Sequence, residues 1–202
     1  MVKDHNALNL DELLEHDLKG AKLKPIIDLV ARHSWWVSPK VYREIQVIYP
    51  KTRRKKGTTE KRGALINGVR IWDNQPANHA FWLAIGKNRN RVKNSFVCHI
   101  YEDSVWDPEH FTNLANLVAF PKGLQSLSEW TPIRRLLKYH SFIIYGYKGL
   151  NQLEPPKINY YPQGWQNQMN HSPSEHERIV NKLKNQRETR PEYRRARTPR
   201  DD

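Results

Sequence analysis

A single cysteine, Cys98, is the whole thiol inventory of this 202-residue chain. No internal disulfide can form, and no Cys-pair zinc site is available. Long apolar runs are missing too: none approaches the roughly 18 residues that a membrane-spanning helix needs. The opening Met1-Val2-Lys3-Asp4-His5 holds no apolar signal-peptide core. These absences predict a protein that avoids the membrane and is cytoplasmic or nucleoid-associated. Neither a Walker-type phosphate loop nor a dinucleotide-binding glycine pattern is found, which sets those nucleotide enzymes aside. No internal repeat is visible.

Acidic residues are the other shortage. The chain carries 21 Asp and Glu against 34 Lys and Arg, for a formal net charge of +13. Such an excess favours a polyanionic partner, because binding releases the counterions condensed on it. Hydrophobic residues make up 38% and aromatics 10%, enough for a core and too much for a fully disordered chain. The length suits one sizeable domain, or one domain with appendages.

Along the chain, four stretches differ in pattern. Residues 1–50 read as an N-terminal helical region. Leu10, Leu13, Leu14 and Leu18 recur at helical steps until Gly20, and Pro25 opens a second helix through Ile26, Leu29 and Val30. Ser38-Pro39 is a capped helix start that should turn Val41, Tyr42, Ile45 and Val47 inward. The pair Trp35-Trp36 reads as core or groove wall, with base stacking as its rival.

Residues 51–94 form a basic loop, a hairpin and a helix. Lys51, Arg53, Arg54, Lys55, Lys56, Lys61 and Arg62 crowd together. A cluster this dense should stand in solvent, as an exposed loop or an arm on phosphates. Asn67-Gly68 between two apolar runs predicts a hairpin around 64–72. Pro76 then opens a helix that Gly86 ends, and Arg89, Arg91 and Lys93 make a second basic stretch.

Residues 95–150 carry the chemistry-bearing pattern. A strand over Ser95 to Tyr101 holds His99, and a loop with Glu102, Asp103 and Asp107 follows. A second strand starts near Asn116-Leu117, a short helix contains Gln125, and a longer helix is capped by Thr131-Pro132 and ends at Gly146. After 150 the chain reads as a basic C-terminal extension, 151–202. Tyr160, Tyr161 and Trp165 pin an irregular segment, and Ser172-Pro173 starts a polar helix with a thin stripe of Ile179, Val180 and Leu183. The arginine-rich end is expected to be disordered when alone.

The run Val97-Cys98-His99-Ile100, followed by Asn116-Leu117-Val118 and Gln125, resembles the HNH (ββα-metal) endonucleases. His99 matches the family's first histidine and Asn116 its asparagine. Gln125 stands where the closing histidine falls, and Cys98 replaces the aspartate before the first histidine. The resemblance spans about a quarter of the chain, from Ser95 to Gly146. It implies an α+β fold, mainly helical, with a ββα-metal core near 95–147 besides the hairpin. It also implies a metal-dependent endonuclease that hydrolyses DNA phosphodiesters, tied to restriction, defence or mobile elements. In that assignment His99 is the general base, a role that a near-neutral pKa suits, and Asn116 is its orienter. A divalent ion, Mg2+ or Mn2+ or a softer one, would sit on Gln125 with loop carboxylates such as Asp103 and Asp107, since hard cations take oxygen ligands.

The altered ligand positions keep a second reading open, a non-catalytic nucleic-acid-binding protein on a degenerate HNH scaffold. DNA is favoured over RNA as the partner, and a homodimer or larger complex stays open. Asn113 rivals Asn116, while His79, His110 and His140 are spare histidines, each read singly as a surface or satisfied core residue.

Overall fold

The computed structural model describes residues 23–54, 59, 61–66, 69–88, 92–165 and 171–188. The expected helix around Leu10 to Leu18, the Asn67-Gly68 turn and the arginine-rich end lie outside them. The described chain is an α+β protein with two small sheets among helices. Its elements in order are α1 (Leu23–His33), α2 (Pro39–Glu44), β1 (Lys51–Arg53), β2 (Leu65–Ile66), β3 (Val69–Trp72) and α3 (Gln75–Ala84). They are followed by β4 (Ser95–His99), β5 (Leu117–Pro121), α4 (Thr131–Tyr145) and α5 (Pro173–Glu188). No described helix is long and apolar enough to cross a membrane.

Local chemistry explains most of the helix ends. The Ser38 side chain accepts from the Lys40 N–H at 3.3 Å and Pro39 takes the first helical position, so α2 starts as the sequence predicts. It stops at Glu44, with Val41, Tyr42 and Ile45 buried and Val47 half-buried. At the start of α4 the expectation shifts by one residue: Thr131 is already helical, and Trp130 sits at the cap without a side-chain cap. Gly146 ends that helix at φ 69°, a left-handed conformation that glycine takes without a Cβ clash. The expected short helix around Gln125 is a 3-10 helix, Lys122–Glu129.

β4 and β5 are antiparallel, with Ser95 opposite Pro121, Phe96 opposite Phe120 and His99 opposite Leu117. Trp35 adds a single bridge to the far side of β5, its N–H donating to the Ala119 carbonyl at 2.8 Å. Its partner Trp36, a core residue, is 4% exposed and donates through Nε1 to Ser34 Oγ, while Trp35 is half-buried. The second sheet has the order β1-β3-β2. β2 and β3 form the expected antiparallel hairpin, and β1 lies parallel to β3.

One hydrophobic core takes residues from all four stretches: Ile27 and Trp36, Phe81 and Ala80, Leu117 and Phe120 with Leu137, and Ile179 with Leu183. Each such large side chain contributes about 1.5–3 kcal/mol when fully buried. The thin stripe of α5 therefore suffices to dock it against α2 and α3.

Candidate nucleic-acid interface

β4 carries His99 to its C-terminal end, where the strand gives way to the loop over 101–113. The imidazole is half-buried and lies face to face with Phe111, centroids 5.3 Å apart and planes at 14°. Its Nε2 is 2.9 Å from the Phe111 carbonyl oxygen. A carbonyl only accepts, so Nε2 carries the hydrogen and donates it. In the neutral ring that leaves the lone pair on Nδ1. Nδ1 has no hydrogen-bond partner among the described residues and is not one of the sealed, unpartnered polar atoms. Burial pulls His99 down to about 4; the Phe111 carbonyl opposes this, and the Arg53 charge adds to it. The ring is therefore neutral at pH 7, with one fixed tautomer.

Asn116 is fully buried, and its amide is wholly engaged. Oδ1 accepts from the Tyr101 N–H at 2.8 Å, while Nδ2 donates to Ser104 Oγ at 2.8 Å and to the His110 carbonyl at 3.2 Å. These bonds staple the loop that leads to Phe111. Asn116 thus does not orient His99 directly, as the resemblance suggests. It acts through the loop whose carbonyl holds the ring. Asn113, the rival asparagine, accepts from the Ala115 N–H at 3.0 Å and caps a 3-10 turn.

The proposed metal donors sit in different settings. Gln125 is exposed, and its backbone carbonyl accepts from Ser128 Oγ. Asp103 is exposed, and its charge acts on Tyr101 and Tyr147. Asp107 Oδ1 accepts from the Glu109 N–H at 2.8 Å. Cys98 alternates with His99 along the strand and so faces the other way. Burial, with Glu129 nearby, pushes its thiol up to about 12, which keeps it protonated and a poor ligand. Among the described residues no group of three or more His, Cys, Asp and Glu is placed to hold a metal ion.

The three spare histidines serve packing. His140 lies 3.6 Å from the Trp165 ring centroid at 14°, and its Nδ1 meets Tyr161 Oη at 2.6 Å. His110 Nδ1 meets Tyr147 Oη at 2.6 Å, and His79 stacks on Tyr49.

The basic cluster divides. Its first residues form β1 rather than a loop, and Lys51 is only 2% exposed. The expectation that the whole cluster stands in solvent fails there, because an aromatic wall receives the ammonium: Nζ lies 4.5 Å from the Trp72 centroid and 5.6 Å from that of Tyr49. Arg62 lies over Trp72 as well, and it is tied to Asp73 and Gln75. Arg53 is half-buried and Arg54 exposed, and neither has a carboxylate at ion-pair distance among the described residues. Lys61 and Lys93 are exposed; Lys55, Lys56, Arg89 and Arg91 lie outside the described residues.

A further group escaped the sequence. Arg134 of α4 joins Glu102, at 2.7 Å, to Glu129, at the end of β4. The Arg53 charge reaches Glu102 as well as His99. Nothing local to Arg134 announces partners drawn from two other elements. No known protein-family model, curated protein or solved structure matches the chain.

Proposed function

We propose that the chain is a nucleic-acid-binding protein on an HNH-like hairpin, gripping the phosphate backbone beside His99. The observation that carries this reading is Arg53. Its guanidinium has no ion-pair partner among the described residues, and its charge reaches the His99 ring. Arg54, Lys61 and Lys93 add exposed cations, and the net charge of +13 supplies the long-range attraction. Fluorescence anisotropy with duplex DNA and with RNA, repeated across salt concentrations, tests it. The expected result is DNA binding that weakens steeply with salt. Absence of binding at low salt, or binding indifferent to salt, would overturn it.

Hydrolysis of the backbone is the second reading, favoured by the fixed His99 tautomer. A neutral histidine with Nδ1 presented can take a proton from an attacking water. Two features weigh against its primacy. A base lowered to about 4 is a weak one, and among the described residues no group of three or more His, Cys, Asp and Glu is placed to hold a metal ion. Supercoiled plasmid incubated with Mg2+, Mn2+, Ni2+ or a chelator separates the two readings. Nicking that disappears in His99→Ala and with the chelator establishes the nuclease; intact plasmid under every condition leaves binding alone.

A further inference from the structure

An open cleft of about 410 Å3 lies where β1 and β3 meet the start of α3. It falls within the roughly 300–1,000 Å3 typical of small-ligand sites. Arg53 and Arg54 line one side, Trp72 forms a wall with Arg62 lying over its ring, and Asp73, Asn74, Gln75 and Asn78 complete the lining, the Asp73 carboxylate being neutralised by Arg62. The polar groups here are underused. The Asn74 side chain makes no capping hydrogen bond. Asn78 spends its Nδ2 on the Asn74 carbonyl at 3.1 Å, which leaves its Oδ1 to accept. The two arginines have no carboxylate at ion-pair distance among the described residues. Cations, an indole and free amides in one cleft match the three parts of a nucleotide: phosphate, base face and base edge.

Resting on the backbone-binding reading above, we propose that this cleft takes one unpaired nucleotide of a bound strand. Its phosphate lies on Arg53 and Arg54, its base takes the place of the exposed Arg62 guanidinium over Trp72, and its base edge meets Asn74 and Asn78.

The test compares a DNA duplex carrying one bulged nucleotide with the same duplex fully paired, by anisotropy at fixed salt. The bulged duplex is expected to bind roughly tenfold tighter, the scale of one base stacked on an aromatic ring. Trp72→Ala is expected to abolish that preference, and Trp72→Phe to restore part of it. Asn74→Ala changes a side chain that the helix start does not use; it should shrink the preference without touching the fold. Equal binding of the two duplexes by the native chain overturns the proposal, as does a preference that survives both Trp72→Ala and Asn74→Ala. A free nucleoside monophosphate that competes as well as the bulged duplex would also overturn it, by pointing to a small-molecule site. Failure to bind either duplex sinks the backbone-binding reading itself, a distinct result.

Discussion

The β4–β5 hairpin and the β1–β3–β2 sheet put their polar groups to opposite uses. In the first, the strand β5 is buried almost throughout, Asn116 satisfies three loop groups, and the Phe111 carbonyl fixes His99. In the second, β2 exposes both Leu65 and Ile66, and Arg53 and Arg54 stand without ion-pair partners among the described residues. Buried polar groups must be paired, or they cost about 1–3 kcal/mol each. Exposed cations face no such demand and remain available to a ligand. The difference teaches where to look for each property: stability lies in the hairpin, and the proposed recognition lies on the sheet.

The largest effect that would break this contrast comes from Asn116→Ala. It strips hydrogen bonds from Tyr101, Ser104 and His110 at a fully buried position. A loss on the order of 3 kcal/mol is expected in urea unfolding. A loss below about 1 kcal/mol would mean that the loop is held by something else.

Acid comes next. His99 and His140 are held at about 4 and about 3, both by burial. Unfolded, each binds a proton below about pH 6.5. Between that pH and 4 the unfolded chain therefore holds more protons, and stability falls as pH drops through this window. Above it the contribution is fully present. About 2 kcal/mol per histidine should be lost by pH 4.5. His140→Phe should remove roughly half of the drop, which denaturation at pH 7 and pH 4.5 would show.

On the sheet the expected changes lie in binding. Arg53→Ala and Arg54→Ala should each reduce the salt slope of DNA binding by about one unit, with stability changed by less than about 0.5 kcal/mol. Unchanged slopes would move the backbone contacts elsewhere. The smallest effect belongs to Leu65→Ser, which should stay within about 0.5 kcal/mol in thermal unfolding because the side chain is 52% exposed. A larger loss would make this hairpin part of the core after all.

Much of the frame was legible residue by residue. Ser38-Pro39, Gly146 and the alternation around Val97 mark their elements through local backbone preferences, which depend only on near neighbours. The Asn67-Gly68 signal correctly placed a hairpin, yet its apolar flank faces solvent, since periodicity cannot say which face finds a core. His99 and Asn116 were legible as a pair, but not the relay between them: the Tyr101 and Phe111 groups that complete it are backbone atoms, which any residue type supplies. Lys51 was misread because charge density says nothing about an aromatic neighbour brought in from β3.

By itself, then, the sequence determined the order of elements, the basic balance and the candidates His99, Asn116 and Arg53. Helix caps, turns and net charge are local or additive properties, so they survive without the fold. Only the tertiary structure decided that Asn116 acts through the loop. It alone placed Arg53 in the Trp72 cleft. Those are meetings between segments far apart in the chain. Each depends on which faces share the core, a condition that no short window of residues contains.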